Sequence, residues 1–166
     1  MANFTASGAP LGFTNPPVPP FTPQSLQAAD ELYPYDPSRS LTDAAALRAQ
    51  GFTPEESAAI LTLVKTRTRA EAKFGERARR LLLTEEGFEQ STRSPVARYH
   101  AQRFLKAQVG SVADLGCGIG ADSVAFASAG LATVSVERDP VTASCAAHNL
   151  ASYGQSRVLV GDVTNY

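Results

Sequence analysis

The sequence has 166 residues, of which 43% are hydrophobic, and a formal net charge of −1. This length and composition are typical of an ordinary globular unit that can bury a core. The sequence has no apolar run long enough to predict a membrane span, and no charged segment followed by an apolar one that would predict a secretory leader. No membrane partner is therefore expected. Cys117 and Cys145 lie far apart without a cluster of histidines, so neither a disulfide framework nor a metal site is expected. Free thiols suit a cytoplasmic location.

The charges are distributed unevenly along the chain. The stretch from Lys65 to Lys106 contains eleven of the fifteen Lys and Arg residues but only five of the sixteen acids. A basic surface of this kind can attract a polyanion such as RNA. A solvated helix face with ion pairs between successive turns is the alternative, and the composition leaves both open.

The first part of the chain divides at about residue 38. Residues 1–37 contain eight of the eleven prolines, and proline neither propagates a helix nor donates to a sheet, so we predict an extended or disordered arm. A helical N-terminal subdomain is predicted over residues 38–108. Thr53-Pro54-Glu55-Glu56 predicts a capping box at the start of one helix. Further helices are predicted over 76–83 and over 94–106, the second with Ser94 as its N-cap.

Residues 109–166 alternate between short apolar strands and helices of about ten residues. Strands are predicted over 112–115, 132–137 and 157–160, with helices over 121–129 and from 140 to about 152. This alternation indicates three parallel strands joined by right-handed crossovers. The predicted fold class is therefore α/β, with a helical N-terminal subdomain followed by the first half of a Rossmann-like sheet.

A glycine-rich loop, Asp114-Leu115-Gly116-Cys117-Gly118-Ile119-Gly120, connects the first predicted strand to the next helix. Glycines there allow a sharp turn and let a ligand approach the backbone, and the helix start offers free amides. Cys117 is interpreted as a small side chain beside the ligand. The candidate binding residues in this loop are Asp114, Gly116, Cys117, Gly118 and Gly120.

A dinucleotide site competes with this interpretation, because Gly116, Gly118 and Ala121 formally satisfy the G-x-G-x-x-G/A pattern. The Asp114 carboxylate would repel a pyrophosphate, and Gly120 widens the loop. An acid at this position suits a cationic ammonium, such as that of the methionine end of S-adenosylmethionine. An NAD-dependent oxidoreductase is kept as the less favoured alternative.

Two more acids follow the other predicted strands. Glu137 ends the second strand, where its carboxylate can accept hydrogen bonds from both hydroxyls of an unphosphorylated ribose. Asp162 follows the third strand and could receive the exocyclic amine of adenine. An acid at the end of each of three consecutive strands places all three at one edge of the sheet.

The segments VADLGCGIGADS, VSVERDP and VLVGDV resemble the first three strand motifs of class I S-adenosylmethionine-dependent methyltransferases. Upstream, Lys73-Phe74-Gly75 and the run from Glu86 to Arg93 resemble actinobacterial methyltransferases with a THUMP-like domain, relatives of trimethylguanosine-synthase-type RNA methyltransferases. The resemblance covers roughly residues 38–166. It implies that Asp114, Gly116, Gly118, Glu137 and Asp162 occupy cofactor-binding positions, and that Thr92 touches the methionine end.

The resemblance also implies an S-adenosylmethionine-dependent methyltransferase that acts on RNA. Members of the family continue through four more strands and an acceptor-binding motif, so residues 109–166 are expected to be a truncated cofactor-binding domain without turnover of its own. No catalytic residue is assigned. In such a sheet the first strand is central, so here we expect it at an open edge, covered by the N-terminal helices or by self-association. A non-catalytic nucleic-acid-binding or scaffold fragment is the second alternative.

Overall fold

The computed structural model describes residues 12–165, which form a helical N-terminal region followed by a three-stranded parallel sheet with two crossover helices. Short 3₁₀ segments cover Pro37–Arg39, Gly75–Arg80 and Val163–Asn165. The strands are β1 Ser111–Leu115, β2 Ala132–Glu137 and β3 Ser156–Val160. The helices are α1 Pro23–Glu31, α2 Ser40–Ala49, α3 Pro54–Phe74, α4 Glu85–Gln90, α5 Ser94–Lys106, α6 Ala121–Ser128 and α7 Pro140–Leu150.

Helix α3 is the centre of the helical region, and its predicted start is confirmed. The Thr53 hydroxyl accepts the amide of Glu56 at 3.1 Å, and the Glu56 carboxylate accepts the amide of Thr53 at 2.8 Å. This reciprocal pair satisfies amides that the helix itself cannot bond. Behind it, Ile60 and Val64 are fully buried in the core that α3 forms with the other N-terminal helices.

The prediction of an extended arm over residues 1–37 is wrong from Pro23 onward, where a helix forms; residues 12–22 contain no helix, and residues 1–11 lie outside the described part. Helix α1 forms because Pro23 occupies the first turn, where a missing amide costs nothing, and the Thr22 hydroxyl accepts the amide of Ser25. Ala28 and Ala29 then pack into the helical core. Tertiary burial therefore orders a segment whose composition suggested disorder.

The side chain of Arg67 fastens α1 to α3. It is 2% exposed, and it donates to the carbonyl oxygen of Leu81 at 2.9 Å and to the carboxylate of Asp30 at 3.0 Å. A buried guanidinium is tolerated only when its donors are matched in this way. One member of the basic stretch is thus a structural cation.

Two helix predictions need correction. The helix expected over 76–83 is a 3₁₀ segment that ends at Arg80, after which Leu81 is extended and α4 begins only at Glu85. The physical reason is that the backbone groups of Leu81 and Leu82 bond to the side chains of Arg67 and Asn149 and not to a helical turn. Ser94 is the first residue of α5 and not its cap; Arg93 holds the capping position without a side-chain hydrogen bond.

The sheet confirms the predicted α/β class. Its order is β1-β2-β3, and all neighbours are parallel, with Leu115 opposite Val136 and Glu137 opposite Val160. Helices α6 and α7 pack against one face. Because the strands are parallel and in register, their carboxyl ends, with the loops that follow them, meet at one edge.

The N-terminal segment covers a different edge from the one expected. Thr14 exchanges two backbone hydrogen bonds with Val160 of β3, at 2.9 and 2.8 Å, and Phe13 packs beside Leu159. Among residues 12–165 no strand pairs with the free side of β1. Leu115 and Val134 remain 61% and 45% exposed on the sheet face away from α6 and α7.

One side chain, Asn149 of α7, joins the helical region to the sheet. Its amide group bonds both the N–H and the carbonyl of Leu82, at 2.8 and 2.9 Å, and it also donates to the carbonyl of Ile119 at 2.9 Å. Leu82 is fully buried, so its backbone groups have no access to water. Asn149 thereby ties the glycine loop to the segment before α4. None of the helices in the described part of the chain is long and apolar enough to cross a membrane.

We expect Asn149→Ala to lower the free energy of unfolding by about 1–3 kcal/mol, since it leaves buried backbone groups of Leu82 unpaired. Urea denaturation measures the change. Gln102→Ala, which removes an exposed amide from α5, is the control and should leave stability nearly unchanged. Equal stability of the two variants would show that Asn149 does not hold the two regions together.

Candidate functional site

The loop between β1 and α6 turns sharply onto the end of β2. Gly116 and Gly118 have φ values of 82° and 56°, which favour glycine strongly. The amides of Gly116 and Cys117 both donate to the carbonyl of Val136, at 2.8 and 3.0 Å. The loop is therefore fixed to the neighbouring strand by its own backbone.

Glu137, the last residue of β2, completes this attachment. One of its carboxylate oxygens accepts the amide of Gly118 at 2.9 Å, and the other accepts the amide of Asp139, also at 2.9 Å. Each oxygen retains a second lone pair. The carboxylate is thus held in one orientation and can still accept hydrogen bonds from a ligand.

Asp114 is held from behind by a buried chain of hydroxyls. The Ser135 hydroxyl donates to that of Ser123 at 2.8 Å, and Ser123 donates to one carboxylate oxygen of Asp114. Both serines are fully buried. Burial raises the pKa of Asp114, nearby Asp122 and Glu137 add to the rise, and the Ser123 hydroxyl opposes it. The backbone amide of Ser123 also bonds this carboxylate and likewise opposes the rise.

A cleft of ≈ 430 Å³ lies over this loop. It gathers predicted residues from β1, the glycine loop, β2 and the segment after α4. The predicted residues in its lining are Thr92, Asp114, Gly116, Cys117, Gly118 and Glu137.

Asp162 lies beside this cleft, in an adjoining hollow of ≈ 300 Å³ that also contains Gly116 and Glu137. Its carboxylate accepts the amide and hydroxyl of Thr164, at 2.9 and 2.7 Å, and these bonds lower its pKa. The structure thus places the acid after β3 at the same edge as the acids of β1 and β2.

Gly120 lies outside the lining of the main cleft. It is the residue before α6, with a φ of 82°, and a side-chain carbon there would approach Cβ of Ala146 to 3.4 Å. Glycine at this position allows the helix start to pack against α7. The position of Gly120 therefore indicates a structural role, in which glycine permits the positive φ and the close packing of the two helices.

Cys117 faces the cleft as a neutral thiol. Burial and the nearby carboxylates of Asp114 and Glu137 raise its pKa well above the ordinary range. A nucleophilic cysteine needs surroundings that lower the pKa of its thiol, such as a nearby positive charge. Cys117 therefore serves as a small side chain in the loop wall.

Sequence reasoning missed most of the acids in the cleft. Glu86 of α4, Asp122 of α6 and Asp139 before α7 all line it, beside Asp114 and Glu137. Arg138 is the one Lys or Arg in the described lining. Each missed acid lies at a helix start or on α4, where an acid is ordinary, so only the fold shows that they converge.

Replacing Ser123 by alanine should raise the pKa of Asp114 further, because it removes a hydrogen bond to the charged form. A carboxyl pKa that is higher in the folded than in the unfolded state makes stability fall as pH rises through the folded value. Ser123→Ala should therefore destabilise more at pH 7 than at pH 4.

Carboxyl ¹³C NMR titration and urea denaturation at the two pH values measure these effects. Ser144→Ala removes another buried hydroxyl, one that donates to the Val141 carbonyl, and serves as the control. An Asp114 pKa that shifts equally in both variants would contradict a specific role for Ser123.

No family model matches the chain. Two Mycobacterium tuberculosis proteins, from strains CDC 1551 / Oshkosh and H37Rv, are each 38% identical to it over 93 residues. Both are described as uncharacterized S-adenosylmethionine-dependent methyltransferases. The match covers 53% of this chain and 25% of each relative, so the chain spans a small part of their length.

A crystal structure from Porphyromonas gingivalis W83, of a protein assigned as a methyltransferase, superposes on 86% of this chain and 36% of its own. The TM-score is 0.64 and the sequence identity is 25%. With the parallel sheet and glycine loop, this likeness gives the chain the Rossmann-like fold of class I methyltransferases.

Proposed function

We propose that the chain binds S-adenosylmethionine and contributes the cofactor-binding part of a methyltransferase. The observation that carries the proposal is the charge of the cleft, where five carboxylates and one guanidinium surround a glycine loop at the carboxyl edge of the sheet. The methyltransferase descriptions of the M. tuberculosis relatives support it.

The acids favour a cationic ligand. S-adenosylmethionine carries a sulfonium and an ammonium against one carboxylate, whereas NAD carries a diphosphate that five carboxylates would repel. The pattern of glycines is compatible with both ligands, so the acids around them decide between the two. The charge of the whole cleft therefore favours the same ligand that Asp114 alone indicated in the sequence.

The fixed carboxylates suit particular parts of this ligand. Glu137 has a free lone pair on each oxygen for the two ribose hydroxyls, and the Asp114 carboxylate lines the cleft where it can pair with the ammonium. Thr92 lines the same cleft, and Asp162 lies in the adjoining hollow beside Glu137, as expected for a contact with adenine. When bound, S-adenosylmethionine supplies a methyl group already activated by its sulfonium, so the task of these residues is to bind and orient.

Calorimetry with S-adenosylhomocysteine and with NAD tests the ligand. We expect S-adenosylhomocysteine to bind more tightly, and Glu137→Ala to weaken its binding by about 1–3 kcal/mol, the cost of unpaired ribose hydroxyls. Glu76→Ala, an exposed acid outside the cleft, should bind as the unchanged chain does. Tighter binding of NAD would contradict the proposal.

We further propose RNA as the methyl acceptor, recognised in part by α5. Five of the eleven cations of the basic stretch, Arg67, Arg69, Lys73, Arg77 and Arg79, hydrogen-bond within the protein. Helix α5 contains no acid, and Tyr99, Arg103 and Lys106 follow one another at helical spacing on its outer side. Tyr99 is 60% exposed. Exposed aromatic and basic side chains in this arrangement suit single-stranded RNA.

The double substitution Arg103→Glu/Lys106→Glu should lower RNA affinity and reduce the slope of log affinity against log salt by about 1.4, the value for two phosphate contacts on a single strand. Fluorescence anisotropy with an oligonucleotide at several salt concentrations measures both effects. The control is Arg48→Glu/Lys65→Glu, the same charge change at exposed positions of α2 and α3. Equal losses in the two variants would point to net charge alone.

The same measurements separate this proposal from a non-catalytic nucleic-acid-binding fragment. Such a fragment would bind RNA through α5 but would not bind S-adenosylhomocysteine. The acids that line the cleft favour the methyltransferase.

A further inference from the structure

Lys73, in the last turn of α3, is not part of the cleft lining, yet it makes a set of contacts with a segment that is. Its ammonium donates to the carbonyl oxygens of Phe88 at 2.6 Å, Glu89 at 2.8 Å and Ser91 at 3.1 Å. It also lies 4.7 Å from the centre of the Phe88 ring. An ammonium has three N–H donors, so all three are used on the backbone that ends α4.

The segment that Lys73 holds is one wall of the cleft. Glu86, Gln90 and Thr92 line the cleft from this side, and α4 has only six residues. A helix this short is not stable by itself, so its position depends on what it touches. Carbonyls at the end of a helix lack intrahelical partners and carry negative partial charge, which a cation satisfies best.

Other contacts also act on this segment. At its end the Ser91 amide and hydroxyl donate to the Phe88 carbonyl, at 3.3 and 2.6 Å, but these bonds are local and do not tie the segment to the rest of the protein. The Thr84 hydroxyl caps α4, and Gly87 lies so close to Ile119 of the glycine loop that a side-chain carbon would be 2.5 Å from Cγ2. Arg69 reaches Glu85 and Glu89 at 3.3 Å, but these ion pairs are about half exposed and contribute little. Lys73 is the cation whose bonds extend to Ser91, next to Thr92.

We propose that Lys73 is a positioning residue, whose ammonium holds residues 88–92 in place as the wall of the ligand cleft without touching the ligand. The inference rests on the proposed binding of S-adenosylmethionine only for its effect on affinity. The effect on the wall itself is independent of any ligand.

The test compares Lys73→Met with Lys65→Met, which removes the same charge from an exposed position on α3. In the ligand-free protein we expect faster amide hydrogen exchange over 86–93 in Lys73→Met alone, with exchange in α6 unchanged. S-adenosylhomocysteine should bind about tenfold more weakly or worse, because only the fraction of molecules with an ordered wall can then bind it well.

A chemical rescue separates the ammonium from the side chain's bulk. Lys73→Cys treated with 2-bromoethylamine regains an ammonium at nearly the original distance, whereas iodoacetamide gives a neutral side chain. Cys117 and Cys145 are buried, and mass spectrometry verifies a single addition. The aminoethyl form should recover slow exchange and tight binding, and the amide form should not. If Lys73→Met does not fold, the aminoethyl and amide forms of Lys73→Cys are compared with each other.

Unchanged exchange over 86–93 in Lys73→Met would overturn the inference, as would equal recovery by the two alkylated forms. Faster exchange with unchanged affinity would also overturn it, because the wall would then not matter to the ligand. Faster exchange in a protein whose unaltered form does not bind S-adenosylhomocysteine would support Lys73 as the holder of the wall and contradict the proposed function instead.

Discussion

The carboxylate of Glu137 accepts backbone amides from two directions, one from Gly118 and one from Asp139. These two bonds fix the glycine loop to the end of β2 and set the point where the chain enters α7. Two of the chain segments that line the cleft therefore turn around this one side chain. Glu137 would therefore combine a structural role with ligand binding, and its buried neighbours Ser123 and Ser135 give Asp114 a comparable support.

The fold around this site could be predicted largely from the sequence, because the information there is local. The apolar runs, the glycines and the Asp139-Pro140 start place β1, α6, β2 and α7 within about two residues of their observed bounds. The capping box at Thr53 is equally local. The site residues of the loop follow from the same pattern, since the strand ends of a parallel sheet meet at one edge.

What the sequence did not show depends on contacts between distant segments. Helix α1 is ordered because Ala28 and Ala29 are buried against other helices, which a proline count cannot reveal. The wall formed by α4 depends on a lysine fifteen residues before Phe88. The convergence of Glu86, Asp122 and Asp139 likewise appears only once the helices that carry them are packed together.

The two cysteines have a practical consequence, since they report on different parts of the molecule. Cys145 packs in the core that the N-terminal helices share with α7, and Cys117 packs between the glycine loop and that helix. Burial raises the pKa of both thiols, that of Cys145 to about 11, so both react slowly with thiol reagents and faster when their surroundings open. The rates at which a thiol reagent labels them therefore measure the opening of each region separately, without any introduced probe. Labelling of Cys145 ahead of Cys117 would mean that the helical region detaches while the loop remains folded.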